Sequence, residues 1–335
     1  MKRKEYGGCL YFELGLSSSK DYYANYTERR IEVDCGRSAI QYLIEKNQYR
    51  RIWLPVYNCP LVYERIKDTC NIEIQFYNIR NDFLPNIKLS ELKDGDALLW
   101  VNYFGVMQDE IIDRVARIGE EKNIDIIIDN IPAFFSKPRM NAYNIYSCRK
   151  FVGVPDGGYI IGDKIIPEEL PTYDTSENYN YLCKALDEGS NAVYPEYQKR
   201  ELKINQSIIA FGMPVMTKHL LRYVDYDVIK RKRRENFGYL HELLGNSNRF
   251  SIHHISGVPL IYPYLSSDEG LHDKLILKKV FVSRFWKHIL MNEKSNIFEK
   301  DLAKYLIPLP IDQRYSKEDM EAIASIVMRE TTIWR

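Results

Sequence analysis

An aspartate and a lysine near the middle of the chain have the types and spacing to work on a carbonyl compound. Asp129 closes the β-branched run 126–128, and Lys150 stands three positions past the end of the stretch Tyr143–Ser147. A lysine amine condenses with an aldehyde and, once free, acts as a general base. A carboxylate can hold a proton on an aromatic ring nitrogen. Neighbouring elements must bring the two together. The run 126–128 reads as a strand buried on both faces. The carboxyl end of such a strand is where an open α/β sheet presents its ligand site. Tyr143–Ser147 reads as the next strand and delivers Lys150 past its end. Gly157 and Gly158 let the backbone turn tightly into a further strand, 159–162. Singly, a lysine beside Arg149 is a solvated charge, and an aspartate ending a strand is a turn or cap residue. The order of the two, with apolar strands and a double glycine, is what carries the chemical reading.

Such a pair suits pyridoxal phosphate, whose aldehyde takes a lysine and whose pyridine nitrogen takes a carboxylate. Residues 149–159 read Arg-Lys-Phe-Val-Gly-Val-Pro-Asp-Gly-Gly-Tyr. This segment resembles the lysine loop of the DegT-type (DegT/StrS) sugar-nucleotide aminotransferases, which have the type I aspartate-aminotransferase fold. In that family a glycine pair follows the lysine by seven and eight positions, as Gly157 and Gly158 follow Lys150. The resemblance implies Lys150 as the catalytic residue, Asp129 on the ring nitrogen and Ser147 on the phosphate.

Upstream, a strand at 31–35 leads into Gly36, Arg37 and Ser38 and then an amphipathic helix, 39–46. Free N–H groups and the positive helix end make such a turn an anion site. A serine N-cap beside a glycine is the bland alternative. The resemblance places the cofactor phosphate at this turn. Residues 52–55 read as a strand, 56–60 as a loop and 61–67 as a helix. The family carries an aromatic in this loop that stacks on the ring, and Tyr57 is the candidate, with wall packing as its alternative role. Residues 72–77 and 97–101 read as strands. Asn102-Tyr103-Phe104-Gly105 is similar to a family segment facing the cofactor, which adds Tyr103. A helix at 109–123 has apolar positions at Ile111, Ile112, Val115 and Ile118. Strand–helix alternation from 50 to 129 predicts a parallel sheet with right-handed crossovers.

Three features depart from the family. Pro132 stands where relatives often have a glutamine three places after the aspartate. Ser147 precedes Lys150 by three positions, where many relatives leave five. The G-x-N-x-R-M loop that relatives send into a partner subunit has only Lys203-Ile204-Asn205-Gln206 as a counterpart.

Length and composition bound the rest. The chain has 335 residues, 45% apolar and 28% charged, with net charge +1. That predicts a globular protein of two domains and gives no sign of nucleic acid or a membrane surface as partner. No apolar leader segment or 18-residue apolar run occurs, so a cytoplasmic protein is expected. The six cysteines, at 9, 35, 59, 70, 148 and 183, have no paired spacing and read as free thiols. His253 and His254 lack a third ligand at suitable spacing, so no metal is expected. The basic run 230–234 reads as a solvated helix face, with phosphate contact as the alternative. Residues 167–200 read as a polar lid carrying short helices. Beyond them come helices at 208–245, 269–279 and 316–328, and strands at 257–262, 280–286 and 306–309.

The expected fold is α/β: an N-terminal arm (1–30), a large domain with a mostly parallel sheet (31–245) and a small α+β domain (246–335). The resemblance implies a pyridoxal 5'-phosphate-dependent aminotransferase acting on a keto-sugar nucleotide. Glutamate would be the amino donor, the enzyme a homodimer, and the setting surface polysaccharide or related amino-sugar synthesis. Sugar deoxygenation on the same fold uses a histidine in the family, which Lys150 speaks against. A non-catalytic sugar-binding or regulatory protein is the alternative, kept open by Pro132 and the missing partner loop.

Overall fold

The apolar strand that carries Asp129 lies inside an eight-stranded sheet. The computed structural model describes residues 6–7, 20–252 and 255–331. In chain order the elements are β1 (Tyr6–Gly7), β2 (Arg30–Val33), α1 (Gly36–Asn47), β3 (Arg51–Pro55), α2 (Pro60–Thr69), β4 (Glu73–Ile79) and β5 (Pro85–Asn86). Next come β6 (Asp96–Val101), α3 (Asp109–Lys122), β7 (Asp125–Asp129), β8 (Tyr143–Ser147) and β9 (Gly158–Ile161). Four helices follow, α4 (Asn180–Glu188), α5 (Tyr194–Asn205), α6 (Val215–Leu221) and α7 (Tyr226–Leu244). The chain closes with β10 (Ile261–Leu265), α8 (Leu271–Leu277), β11 (Val280–Phe281), α9 (Ile297–Tyr305), β12 (Leu306–Pro310) and α10 (Lys317–Thr331).

The large sheet has the order β2-β9-β8-β7-β6-β3-β4-β5. Strands β8, β7, β6, β3 and β4 run parallel; β9 is antiparallel to β8 and to β2, and β5 to β4. Successive strands move outward from β3 to β4, then return to β6 on its other side. Ligands of open α/β sheets bind beyond the carboxyl ends of strands at such a reversal. Every residue of β6 and β8 is buried, as expected for strands covered on both faces. Helix α3 has Asp109 and Glu110 in its first turn and Lys122 in its last, each opposing the local end of the helix dipole. It buries Ile112, Val115 and Ala116.

The C-terminal elements form an antiparallel pair, β10 with β12, in register Tyr262↔Leu309. One continuous core runs from the sheet, through residues such as Ile126 and Trp100, into this part, at Leu309 and Ile323. A second core, rich in aromatic residues, joins Tyr23, Phe134, Tyr146, Phe151 and Tyr226.

Several boundaries differ from expectation. The strand at 280–286 shortens to β11, because the chain has left extended geometry by Trp286, at φ 56°. The strand at 257–262 moves to β10. Helix α9 went unread, although Asn296 and Glu299 form a capping box in which each side chain bonds the other's backbone N–H. Glu299 also accepts from the Ile79 N–H at 2.9 Å, tying α9 to β4. Within the basic run, Arg233 is 1% exposed, sharing the inward face of α7 with Ile229, Asn236 and Phe237. Residues 8–19 and the pair His253-His254 lie outside the described residues.

Candidate active site

Asp129 ends β7 with its side chain turned into the protein, 5% exposed. Its Oδ1 accepts the Ile131 N–H at 2.9 Å, and no ion pair reaches it among the described residues. Burial pushes this carboxyl up to about 7, against weaker pulls from the Ile131 N–H and the Lys150 charge. A buried carboxylate without a contacting cation is costly to ionise. A protonated ring nitrogen would supply the missing partner.

Beside it stands the amino end of α1. The helix abuts the loop after Asp129 closely: a Cβ on Gly36 would lie 2.1 Å from Ile131 Cδ1. No side chain caps α1, which leaves its first N–H groups for an anion. Arg37 projects from that first turn half-buried, with its Nε buried and unpartnered. Ser38 is turned inward, its hydroxyl 3.4 Å from Cys35 Sγ.

Lys150 sits in the short 3-10 turn that follows β8, next to the buried Ser147. The turn is held on several sides. Cys148 N–H donates to the Gly157 carbonyl at 2.9 Å, and Gly157 N–H to the Asp34 carbonyl at 2.6 Å. Gly157 has φ +102°, a conformation that explains its glycine. Arg233 donates to the Lys150 carbonyl at 3.4 Å and lies over the Phe151 ring at 4.5 Å. Gln313 donates to the Phe151 carbonyl at 2.9 Å. The lysine's own ammonium makes no hydrogen bond or ion pair among the described residues and is exposed to a cleft of about 260 Å³. That cleft is also lined by Arg149, Tyr197, Phe285 and Asp312, so it opens between the sheet, α5 and the C-terminal elements. Asp312 is held below the usual carboxylate range: burial opposes this, and Arg314, bonded at 2.6 and 2.8 Å, overrides it.

A group of charges lies at the far side of Lys150. Arg149 pairs with Glu201 of α5. Arg200 is 5% exposed, 3.7 Å from Glu201 and 3.8 Å from Asp156. All three guanidinium nitrogens of Arg200, and Nε of Arg149, are buried without a hydrogen bond. Such orphaned donors, together with the uncapped helix, fit a phosphate group. The buried acid, the free amine and these cationic groups are the residue types that could hold the three ends of pyridoxal phosphate.

The expected ring-stacking residue is placed differently. Tyr57 is fully buried, edge-on to Trp286 at 4.5 Å between ring centres and tilted against Tyr103 at 5.8 Å. Tyr103 is equally buried and donates to the Tyr57 carbonyl at 2.8 Å. Aromatic packing consumes both rings, so neither offers a face to the cleft. Two positions on, the half-buried Cys59 is the group whose thiol feels Arg37, Lys150 and Asp129 together. Arg200 and Glu201 carried no recognisable sequence signal. Arg149 and Asp156 stood inside the lysine loop and Cys59 inside the loop 56–60, without a role read for them.

Sequence comparison finds no matching family model and no matching curated protein. Solved structures match over nearly the whole chain. Helicobacter pylori PseC, an aminotransferase involved in pseudoaminic acid biosynthesis, superposes with TM-score 0.68 at 12% identity, covering 99% of this chain and 100% of PseC. S. venezuelae DesV gives TM-score 0.67 at 13% identity, over 93% of this chain and 88% of DesV. The sugar aminotransferase CalS13 from Micromonospora echinospora shares the fold too, with TM-score 0.62 at 12% identity over 91% of this chain and 88% of CalS13. The same fold also carries other chemistry: the E. coli GDP-4-keto-6-deoxy-D-mannose-3-dehydratase, solved with bound hydrated PLP, gives TM-score 0.60 at 13% identity, over 91% of this chain and 89% of the dehydratase.

Proposed function

We propose that this chain is a pyridoxal phosphate-dependent aminotransferase acting on a keto-sugar nucleotide, with glutamate as donor. The observation that carries the proposal is the arrangement just described. Lys150 opens to the cleft, Asp129 is buried at the end of β7, and the uncapped α1 with Arg37 meets the loop after Asp129 at Gly36. When bound, pyridoxal phosphate supplies a ring that accepts electrons from the substrate carbon. Asp129 would hold the proton on the ring nitrogen. Gly36 and Arg37, with Ser147, would hold the phosphate. Lys150, once displaced by the amino donor, would move a proton at the substrate carbon with its Nζ. Pro132 offers no side-chain donor to the ring, so its orientation would rest on the other contacts.

PseC supports the aminotransferase reading by fold, and the dehydratase named for a GDP-linked keto-sugar supports the sugar-nucleotide reading in the same way. A role in surface polysaccharide or related amino-sugar synthesis in the cytoplasm belongs to the same proposal. Among the described residues no helix is long and apolar enough to cross a membrane. A homodimer is supported by Leu186, Tyr194, Leu202, Ile208, Ile209, Val215 and Met216, exposed apolar side chains along α4–α6. We place the large domain at 31–245 and the small one at 246–335, with the cleft between them.

The test is spectroscopic. Protein mixed with pyridoxal phosphate gains a near-visible band that Lys150→Ala lacks, and glutamate shifts that band. A protein that takes up no cofactor sinks the proposal and leaves a sugar-binding or regulatory protein on this fold. A band that ignores glutamate leaves a different reaction, such as that of the dehydratase.

A further inference from the structure

Glu201 is a carboxylate lodged where cations converge. It stands on α5, pairs with Arg149, and lies 3.7 Å from Arg200. Burial favours its neutral acid, yet Arg149, Lys150, Arg37 and Arg200 outweigh burial and hold it below the usual carboxylate range. Four cations face three carboxylates here, Glu201, Asp156 and Asp34, and burial pushes Asp34 toward its neutral form. Positive charge is therefore in excess. Asp156 is already engaged by Thr175 and Thr217 and bonded by the Tyr173 hydroxyl at 3.3 Å. Arg200 has two carboxylates near it, Glu201 at 3.7 Å and Asp156 at 3.8 Å, yet none of its three buried nitrogens makes a hydrogen bond. An anion with more acceptor oxygens than these carboxylates offer would satisfy those donors.

We propose that Glu201 is a displaceable counter-ion in a phosphate seat formed by Arg37, Arg149 and Arg200, so that a phosphate-bearing ligand binds by driving this carboxylate out. The identity of that ligand as pyridoxal phosphate rests on the function proposed above; the seat itself does not. A phosphate monoester carries up to two negative charges and more acceptor oxygens than one carboxylate. It can pair Arg149 and complete Arg200 and Arg37 together. Displacement of Glu201 removes the ion pair that joins α5 to Arg149, and Tyr194 and Tyr197 of the same helix line the cleft.

The experiment measures inorganic phosphate and pyridoxal phosphate binding by calorimetry on wild type, Glu201→Gln and Arg200→Met. Glu201→Gln keeps the bond to Arg149 and removes the competing charge, so phosphate binds about tenfold more tightly, equivalent to about 1.4 kcal/mol. Arg200→Met binds it more weakly than wild type. Equal or weaker binding by a folded Glu201→Gln overturns the proposal and leaves Glu201 as a structural partner of Arg149. Should that variant not fold, hydrogen exchange on wild type decides. Saturating phosphate raises exchange in α5 if the carboxylate leaves, and unchanged exchange overturns the proposal. Tighter phosphate binding by Glu201→Gln without any near-visible band upholds the seat while removing the cofactor reading.

Discussion

The two ends of the candidate site are built on opposite principles. At one end stands a single buried acid, Asp129, steadied by one backbone N–H and touched by no cation among the described residues. At the other, Arg37, Arg149, Lys150 and Arg200 crowd around Glu201, with donors left over. The acid end is simple because one strand end delivers it. The cationic end draws on α1, the lysine turn and α5, and its net charge is a property of the assembly. A flat ligand carrying a cationic nitrogen and an anionic phosphate would complement both ends at once, and this pairing is open to attack from either side.

The largest effect is expected from Lys150→Ala, which removes the reacting amine from the cationic end and leaves Arg37, Arg149 and Arg200 in place. General acid–base groups contribute roughly 10²–10⁴-fold, so aminotransfer falls at least that far while phosphate binding survives. Steady-state turnover and calorimetry on the same sample check this. Loss of both together would mean that the amine and the seat are not separable.

Asp129→Asn attacks the acid end. Activity is expected to drop by about a hundredfold, on the scale of a lost charge-stabilising group. A second readout concerns pH. The folded carboxyl titrates at about 7 instead of 3.8, so the folded chain binds more protons between those values than the unfolded chain does. Stability due to this group therefore falls as pH rises from 3.8 to 7, by at most on the order of 4 kcal/mol. Urea melts of the cofactor-free protein across that range show a steeper loss for wild type than for Asp129→Asn. Parallel curves would show that the acid is not isolated.

Arg233→Met tests what joins the two ends. It removes a buried cation that holds the Lys150 carbonyl and donates to the Leu260 carbonyl at 3.0 Å. A loss of about 2 kcal/mol is expected in urea melts, from buried acceptors left unpaired. The smallest effect concerns Cys59. Burial pushes its thiol above the ordinary value, so alkylation is slow. Saturating pyridoxal phosphate slows it further, while the exposed Cys183 reacts unchanged in the same mass spectra. Equal protection of both cysteines would place the ring elsewhere.

The sheet was legible because its strands are written as apolar runs with punctuation. Residues 126–128 and Tyr143–Ser147 need burial on both faces, and Gly157 and Gly158 turn the chain between strands. The lysine loop was legible for the same reason, since spacing along one segment survives folding. Tyr57 shows the limit of that argument. The loop was found, but the side chain facing the cleft depends on how Trp286, over two hundred residues later, fills the space behind it. Arg233 shows the same limit on a helix: a run of five basic residues looks solvated until one is known to face inward.

By itself, the order of residues set the parallel sheet, the strand end bearing Asp129 and the turn bearing Lys150, because local periodicity and backbone preference act over a few positions. Tertiary structure alone decided that Arg200 and Glu201 come beside Arg149 and Arg37. Charges distant in the chain interact only once burial removes the water between them, and no local pattern records which of them will meet.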